Sequence, residues 1–456
     1  MGVVMTGRMD RRSVIRGVAT AGAGVAAGAL VTGGGTAYAA GAGGDPYVVN
    51  VMSHNADPTG ATPSDAAFRA AAAELLSAAN WQKNPISGTI LKKVLLIPPG
   101  NYLLTEPDSL LPNVDGRGGG GVIDGIAITG YGKRTSRIVY APTANDTTLW
   151  TNYRRYKNIR ISGLTFTSNN PTSSFCYSYS EDGGYGAQDT WYTDVEWRGD
   201  WKRGIGLDGP LDSPPPPAQQ VPQSDLNSEM GWDHCQIGGT YSEAFLVMGM
   251  NTAATQQDQF LNYWFRDCKV EFKSGVFVKN VRGGSMNFIG GSYILTDASK
   301  PGTFFQLTSD ASTRFDSVLR LYVQGIRFEV QSKSHKVIDS RWTRGNITFV
   351  SCDDTAQHFQ SWAPDAVPHQ YAFNVGGNSG PMVRYVDCAL MGSHKVETGT
   401  APTTSGKVLY DGCRFIDMNA PTGSGGFLRW TGVAPRHEMR DCLAGPTYTA
   451  DVKYPA

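Results

Sequence analysis

Three groups of charged or aromatic residues in this sequence could carry chemistry: Glu181, Asp182 and Asp208; Lys279 and Arg282; and Asp339, Arg341 and Trp342. Two carboxyl groups on one surface can act as general acid and as base or nucleophile. A lysine near arginines can remove a proton beside a group whose negative charge the guanidinium holds. A lone outward Asp or Lys is more often only solvated surface. The chemistry therefore depends on whether the fold gathers these groups.

We divide the candidates by role. The candidate catalytic residues are Asp208, Lys279, Glu181 and Asp339. The candidate substrate-binding residues are Arg282, Arg341, Trp342 and Asp182. They lie in or next to short stretches that we interpret as strands, at 175–181, 204–208, 276–280 and 337–341. The elements that must position them are therefore strands, and a repeat in the sequence indicates how those strands are arranged.

The repeat is clearest in residues 262–297. Residues 263–272 and 286–295 each contain two apolar residues two apart, a turn former, a small residue, and two further apolar residues two apart. Alternation with period two predicts a strand, and the turn former predicts a sharp bend between two strands. The small residue after the bend serves as a marker. This sequence pattern recurs along most of the chain, with markers at Leu164, Trp197, Cys235, Cys268, Gly291, Ile326, Cys352, Cys388, Cys413 and Cys442.

The spacing of the markers indicates the fold class. Markers lie 23 to 38 residues apart, which suits one coil of a parallel β-solenoid with loops of variable length. A propeller blade is the rival interpretation, but it needs antiparallel hairpins with turn signals between all its strands. Each repeat has one reliable bend followed by a variable loop. We therefore predict an all-β, single-domain right-handed parallel β-helix of about ten coils at this repeat length.

The cysteines fit this fold as core residues. Six of the seven fall on the marker, so they should point inward and stack about 4.8 Å apart on successive coils. We predict free, buried thiols, with disulfides between neighbouring coils as the second choice. No C-x-x-C occurs, so a zinc site has little support. The sequence requires no cofactor, and Ca²⁺ is the one cation that stays open.

Composition and the N-terminus bear on partners and location. The chain has 40 Lys plus Arg and 40 Asp plus Glu, so its formal net charge is zero, and we expect neither nucleic acid nor a membrane as partner. Residues 1–40 contain R-R-S-V-I-R at 11–16, a Gly/Ala-rich stretch and A-Y-A at 37–39. These features predict twin-arginine export of a secreted bacterial protein, and a disordered basic tail is the plainer alternative. Export in the folded state from a reducing cytoplasm also favours free thiols.

Residues 41–456 are expected to form one domain, with a cap region at 41–140 and coils at 141–456. The cap region carries N-A-D-P-T-G at 55–60, S-D-A-A-F at 64–68 and I-P-P-G-N-Y at 97–102. Ser64 or Asp65 can begin a helix that runs to about Ala79. These motifs resemble the N-terminal signature of pectate-lyase-like β-helix proteins. The resemblance covers roughly residues 48–140 and implies a helix that covers the open end of the solenoid.

The same resemblance implies a glycan as substrate. The superfamily includes polysaccharide lyases, glycosidases, phage tailspike depolymerases and fructan-cleaving transferases, and related enzymes hold their glycan on the outer face of the third strand of each coil. On that face we expect the side chains of Asp208, Met248, Lys279, Gln306, Asp339 and Asn374. Aromatic residues that could stack on sugar rings are Trp191, Trp201, Tyr241 and Trp342.

Several functions stay open at this point. The mixture of lysine, arginine and carboxylate favours, by a small margin, a polysaccharide lyase that acts on an acidic glycan by β-elimination. A glycoside hydrolase or a fructan transglycosylase with paired carboxylates is the first alternative. A non-catalytic β-helix that binds glycan or acts structurally is the second. The expected partner is a polysaccharide, and a homotrimer stays open because trimers occur among similar proteins.

Overall fold

A computed structural model describes most of the chain beyond residue 46. The described residues are 47–77, 82–83, 90–91, 94–113, 123–153, 156–179, 188–208, 227–249, 260–281, 284–308, 319–332, 334–342, 344–355, 369–374, 381–391, 393–397, 407–416, 428–431 and 436–444. The predicted export signal and the candidates Glu181, Asp182 and Arg282 lie outside these residues.

Strands make up most of the described chain. Apart from a 3₁₀ turn at Val51–His54, it contains the helix α1 (Asp65–Leu76). The strands are β1 (Val48–Asn50), β2 (Gln82–Lys83), β3 (Ile90–Leu91), β4 (Val94–Ile97), β5 (Gly100–Leu104), β6 (Ile123–Gly130), β7 (Ser136–Tyr140), β8 (Thr148–Tyr153), β9 (Tyr156–Ser162), β10 (Thr165–Asn169), β11 (Ser174–Tyr179), β12 (Gln188–Thr193), β13 (Glu196–Asp208), β14 (Ser228–Asp233), β15 (Gln236–Met248), β16 (Tyr263–Arg266), β17 (Lys269–Asn280), β18 (Ser285–Ile289), β19 (Ser292–Leu295), β20 (Gly302–Leu307), β21 (Arg320–Gln324), β22 (Arg327–Glu329), β23 (His335–Ser340), β24 (Asn346–Val350), β25 (Asp353–Thr355), β26 (His369–Asn374), β27 (Met382–Val386), β28 (Ala389–Met391), β29 (Ser393–Glu397), β30 (Lys407–Asp411), β31 (Arg414–Ile416), β32 (Leu428–Thr431), β33 (Arg436–Arg440) and β34 (Leu443–Ala444).

Two long parallel sheets make up the fold. Among the described residues, sheet A has 13 strands, in the order β1-β4-β6-β9-β12-β14-β16-β18-β21-β24-β27-β30-β33, and sheet B has 19. In each coil a strand of sheet A leads through a bend into sheet B, and the chain then returns to sheet A one coil further on. The molecule is therefore a right-handed parallel β-helix, as the repeat predicts. Sheet A has more strands than the predicted ten coils because β1, β4 and β6 of the cap region already stack as coils.

The bends are built on residues in the left-handed conformation. All nine turn formers that precede a marker other than Trp197 have φ between 48° and 68°: Gly163, His234, Asp267, Gly290, Gly325, Ser351, Asp387, Gly412 and Asp441. Gly, Asp and His tolerate this conformation better than β-branched residues. The remaining marker is wrong by two residues. Asp194, with φ 54°, makes that bend, and the buried Val195 takes the marker position in place of Trp197.

Cysteines and aromatic rings stack inside the coils. All seven cysteines are free thiols, and six of them are buried. Five of the six marker thiols donate to a carbonyl oxygen of the preceding coil; for example, Cys235 Sγ donates to that of Tyr192 at 3.3 Å and Cys268 Sγ to that of Trp232 at 3.3 Å. The ring of Phe265 lies 4.1 Å from that of Trp232 on the preceding coil, centroid to centroid. A small donor and flat rings repeat at the coil spacing, which fixes the register of each coil.

Helix α1 packs against β1 and β4, the first two strands of sheet A. Its buried face consists of Ala67, Phe68, Ala71, Ala72 and Leu75. The buried Asp65 carboxylate accepts hydrogen bonds from the Thr105 and Glu106 backbone N–H groups at 2.9 Å and from Ser109 Oγ at 2.5 Å. The aspartate of the S-D-A-A-F motif therefore ties the helix to the chain that follows β5.

Candidate functional site

The outer face of sheet B brings together several predicted site residues. Lys279 pairs in register with Gln306 on the next coil, and Gln306 pairs with Asp339 on the coil after that. Two steps of about 4.8 Å put the backbones of Lys279 and Asp339 about 9.6 Å apart along the axis. The sequence therefore placed these three residues on one row, as the alternation in their strands indicates.

An ionic triad lies at one end of this row. Glu243 accepts from Arg203 Nε at 2.5 Å and from Lys279 Nζ at 3.1 Å, and the three residues come from three successive coils. Their side chains are only 19% to 30% exposed. Burial raises the pKa of Glu243, but the hydrogen bonds and charges of Arg203 and Lys279 outweigh it and hold that pKa below its ordinary value. Glu243 is therefore an ionised carboxylate at neutral pH.

A second ionic group lies two coils from Lys279. The Asp339 carboxylate forms an ion pair with Lys336, and Arg341 Nε lies 3.7 Å from its other oxygen. The Lys336 and Arg341 side chains are 39% and 48% exposed, so both can reach a ligand in solvent. We define the charged face as Arg203, Glu243, Lys279, Gln306, Lys336, Asp339 and Arg341. Its four cations exceed its two carboxylates, which favours an anionic ligand.

Other predicted site residues lie elsewhere. Asp208 is 2% exposed, and its backbone pairs in register with Tyr179. The row of Lys279 runs through Val247 to Gly206, so it does not include Asp208. Met248, expected outside, is buried and lies in register with Leu207 and Asn280. The alternation is displaced here because β15 contains an irregularity in its pairing with β17 between Thr240 and Ala244. The row of Lys279 continues from Asp339 to Ala372. Asn374 therefore lies outside this row, and it pairs with Glu397.

Three of the four aromatic residues expected at the sugar site are core residues. Trp201, Tyr241 and Trp342 are at most 1% exposed. The indole N–H of Trp342 donates to Asn280 Oδ1 at 3.2 Å inside the coil. These rings cannot stack on a ligand, because their apolar faces already pack in the core. Trp191 is the exception, and it lies on sheet A, away from the charged face.

The sequence patterns did not identify three residues of the charged face: Arg203, Glu243 and Lys336. Glu243 lies inside the irregular stretch of β15, where period two no longer tells which side chains face outward. Lys336 lies three residues before Asp339 on β23, so its charge could have been paired with Asp339 from the sequence. Arg203 follows an irregularity between Trp201 and Arg203 in the pairing of β13 with β15.

No metal centre can be assigned within the described ranges. Among those residues, no group of three or more His, Cys, Asp or Glu side chains could hold a metal ion. The described part also contains no helix that is long and apolar enough to cross a membrane.

Comparisons with known proteins find likeness in structure alone. No protein-family model matches the chain, and no curated protein matches it. Solved structures with a similar fold include the catalytic unit of a GH87 α-1,3-glucanase from Streptomyces thermodiastaticus (12% identity, TM-score 0.41, 91% of this chain and 72% of that one). Others are an Acinetobacter phage tailspike (9%, 0.47, 90% and 67%) and the A-module of an Azotobacter vinelandii mannuronan C-5 epimerase (12%, 0.41, 87% and 96%). At such identities the likeness concerns the fold.

Proposed function

We propose that the chain is a secreted carbohydrate-active enzyme that cleaves an acidic polysaccharide by β-elimination at the charged face. The observation that carries this proposal is the charged face of sheet B, whose four cations and two carboxylates lie on or directly after β13, β15, β17 and β23. Guanidinium and ammonium groups bind carboxylates, and a polymer of uronic acids presents carboxylates at regular intervals. The solved β-helix structures that act on glucan or mannuronan agree with a glycan as ligand.

The proposed reaction assigns Lys279 as the base. Once the ammonium of Lys279 has released a proton to solvent, its neutral amine removes the proton on the carbon beside the uronate carboxylate. The electron pair forms a carbon–carbon double bond, and the glycosidic oxygen leaves and takes up a proton. Lys336 and Arg341 hold the carboxylates of neighbouring sugars. The ammonium group of Lys279 is paired with Glu243 in the absence of substrate, so a bound uronate must displace Glu243 from this contact.

A two-carboxylate hydrolase is the second candidate, and the distances disfavour it on the charged face. The strands of Glu243 and Asp339 are three coils apart, which is about 14 Å along the axis at about 4.8 Å per coil. Glycosidases need carboxyl groups roughly 5 to 9.5 Å apart. Glu243 also has a lowered pKa, which suits a base or nucleophile but not the general acid. The hydrolase or fructan transglycosylase expected as the alternative relied on Asp208, which is 2% exposed, and on Glu181, which lies outside the described residues.

A glycan panel tests the proposal. Purified protein is incubated with polygalacturonate, alginate and hyaluronan, and with dextran and xylan as neutral controls. Products are read by the ultraviolet absorbance of unsaturated uronates and by new reducing ends. We expect both signals on an acidic polymer. Reducing ends without absorbance indicate hydrolysis, and binding of an acidic polymer without either signal indicates a non-catalytic protein.

A further inference from the structure

A second surface lies on the outer face of sheet A. Trp191, Gly231 and Trp264 pair in register on three successive coils. The two indole rings are nearly parallel, with an interplanar angle of 15° and centroids 5.7 Å apart. Both side chains are partly exposed, in contrast to Trp201 and Trp342 in the core. A partly exposed pair of aligned indoles leaves apolar surface in contact with water, which a ligand can cover.

Gly231 makes this arrangement possible. A Cβ atom on Gly231 would lie 2.2 Å from Cε3 and Cζ3 of Trp191, so the indole occupies the space of the missing side chain. Any larger residue would push Trp191 away from Trp264. Gly231, which lies between the two tryptophans, therefore allows the Trp191 and Trp264 rings to approach each other.

Polar groups surround the tryptophan pair. The Arg160 guanidinium binds both Asp189 carboxylate oxygens at 3.0 and 2.9 Å, and the Trp191 indole N–H donates to Asp189 Oδ1 at 2.8 Å. On the next two coils, Asn262 Nδ2 donates to Glu229 Oε1 at 2.5 Å. These groups form a column of hydrogen-bonding side chains beside the rings.

The charges of this surface balance. Arg266 Cζ lies 5.1 Å from the Trp191 ring centroid and 5.9 Å from that of Trp264, and Arg160 is paired with Asp189. With Glu229, the column and rings carry two cations and two carboxylates. The charged face of sheet B has an excess of cations, so the two surfaces suit different ligands.

We propose that Trp191 and Trp264, with Arg160, Asp189, Glu229, Asn262 and Arg266, form a binding surface for neutral pyranose units, distinct from the charged face. A pyranose ring offers an apolar C–H face that packs on an indole and hydroxyl groups that bond to paired carboxylates and amides. The balanced charge disfavours a uronate or a phosphate. The surface extends the proposed function only in that its ligand is also a carbohydrate, and binding there requires no cleavage.

Affinity electrophoresis of the full chain tests the surface. Native gels contain dextran, xylan or barley β-glucan, with alginate as the acidic comparison. We expect at least one neutral glycan to retard the wild-type protein, and Trp264→Ala to raise the dissociation constant about twofold to tenfold, since aromatic contacts contribute about 0.5 to 1.5 kcal/mol. Trp264→Phe should restore part of the retardation. Thr348→Ala, three coils along the same outer row, is the matched control.

Two further measurements separate the outcomes. Gly231→Ala removes no aromatic ring but displaces Trp191, so it should weaken retardation while circular dichroism stays unchanged. Lys279→Ala should leave retardation unchanged, so loss of cleavage and loss of this surface can be told apart. Equal retardation of wild type and Trp264→Ala, or no retardation by any of the three neutral glycans, overturns the proposal. Retardation that follows self-association, seen as a concentration-dependent mass, also overturns it.

Discussion

Lys279 Nζ lies 3.1 Å from Glu243 Oε1 on the preceding coil, and Arg203 Nε lies 2.5 Å from the other oxygen of the same carboxylate. One acidic side chain thus occupies two cations on an outer face. A substrate carboxylate that binds these cations must compete with Glu243. The relationship makes the charged face sensitive to the charge of a single residue.

Replacing Glu243 with Gln tests this competition. The amide keeps the shape but removes the charge, so the cations become available to a uronate. We expect the KM for an acidic polymer to fall severalfold, while the mobility in neutral-glycan gels stays unchanged. Glu271→Gln, a partly exposed carboxylate on β17 paired with Lys269, is the matched control. An unchanged KM in Glu243→Gln contradicts the competition.

The Asp65 carboxylate should be a main anchor of the cap. It is 3% exposed and accepts bonds from two backbone N–H groups and two hydroxyls. Asp65→Ala leaves these donors without an acceptor, and we expect a loss of about 2 to 4 kcal/mol in the free energy of unfolding. Arg69→Ala, which removes the exposed ion pair with Glu106, should cost less than about 1 kcal/mol. Urea titration measures both, and equal losses contradict the anchoring role.

His335 should make stability depend on pH. It is fully buried, its Nδ1 accepts from the Gln331 N–H, and its Nε2 donates to the carbonyls of Asp297 and Lys300. Burial lowers the pKa of His335, although the two carbonyl bonds raise it in part. The unfolded chain therefore binds a proton below about pH 6.5, while the folded chain resists it.

The resistance of buried His335 to protonation therefore destabilises the folded protein in acid. The contribution of neutral His335 to the free energy of unfolding is fully present above about pH 6.5. It is lost as pH falls from there toward the lowered pKa of His335 in the folded protein. We expect the melting temperature to fall between pH 7 and pH 5, and the fall to be smaller in His335→Gln. His54→Gln, a partly exposed histidine paired with Glu74, is the control. A slope identical to wild type in His335→Gln refutes the assignment.

The cysteine ladder should react only after unfolding. We expect thiol titration to find few accessible groups in the native protein and all seven after denaturation without reductant, since six are buried and none is paired in the structure. Burial raises the pKa of Cys235, which slows its reaction further. If the titration after denaturation shows three disulfides, the prediction of stacked, free cysteines is contradicted.

The sequence predicts the fold better than the site for a physical reason. A bend in the left-handed conformation needs Gly, Asp, His or Ser, so nine bends could be located from residue type alone. The tenth was misplaced because Asp194 and Glu196 both precede an apolar residue, and period two does not distinguish them. Glu196 is in fact a buried carboxylate bonded to Arg198 Nε at 2.6 Å.

The outer face could be predicted only where the strands are regular. Lys279, Gln306 and Asp339 each lie between two buried neighbours and align as expected. Irregular pairing in β13 and β15 displaced Met248 and concealed Glu243, because one extra residue reverses the direction of every later side chain. Nothing in residue type separated Trp191, which lies outside, from Trp201 in the core.

The most direct test of the account is the activity of Lys279→Ala on acidic polysaccharide, read by the ultraviolet absorbance of unsaturated uronates. Because a general base typically contributes a factor of about 10² to 10⁴, we expect kcat/KM to fall by about that factor. Lys273→Ala, an exposed lysine on the same strand β17, should keep wild-type activity. Full activity in Lys279→Ala, or cleavage that yields reducing ends without absorbance, would contradict β-elimination at the charged face.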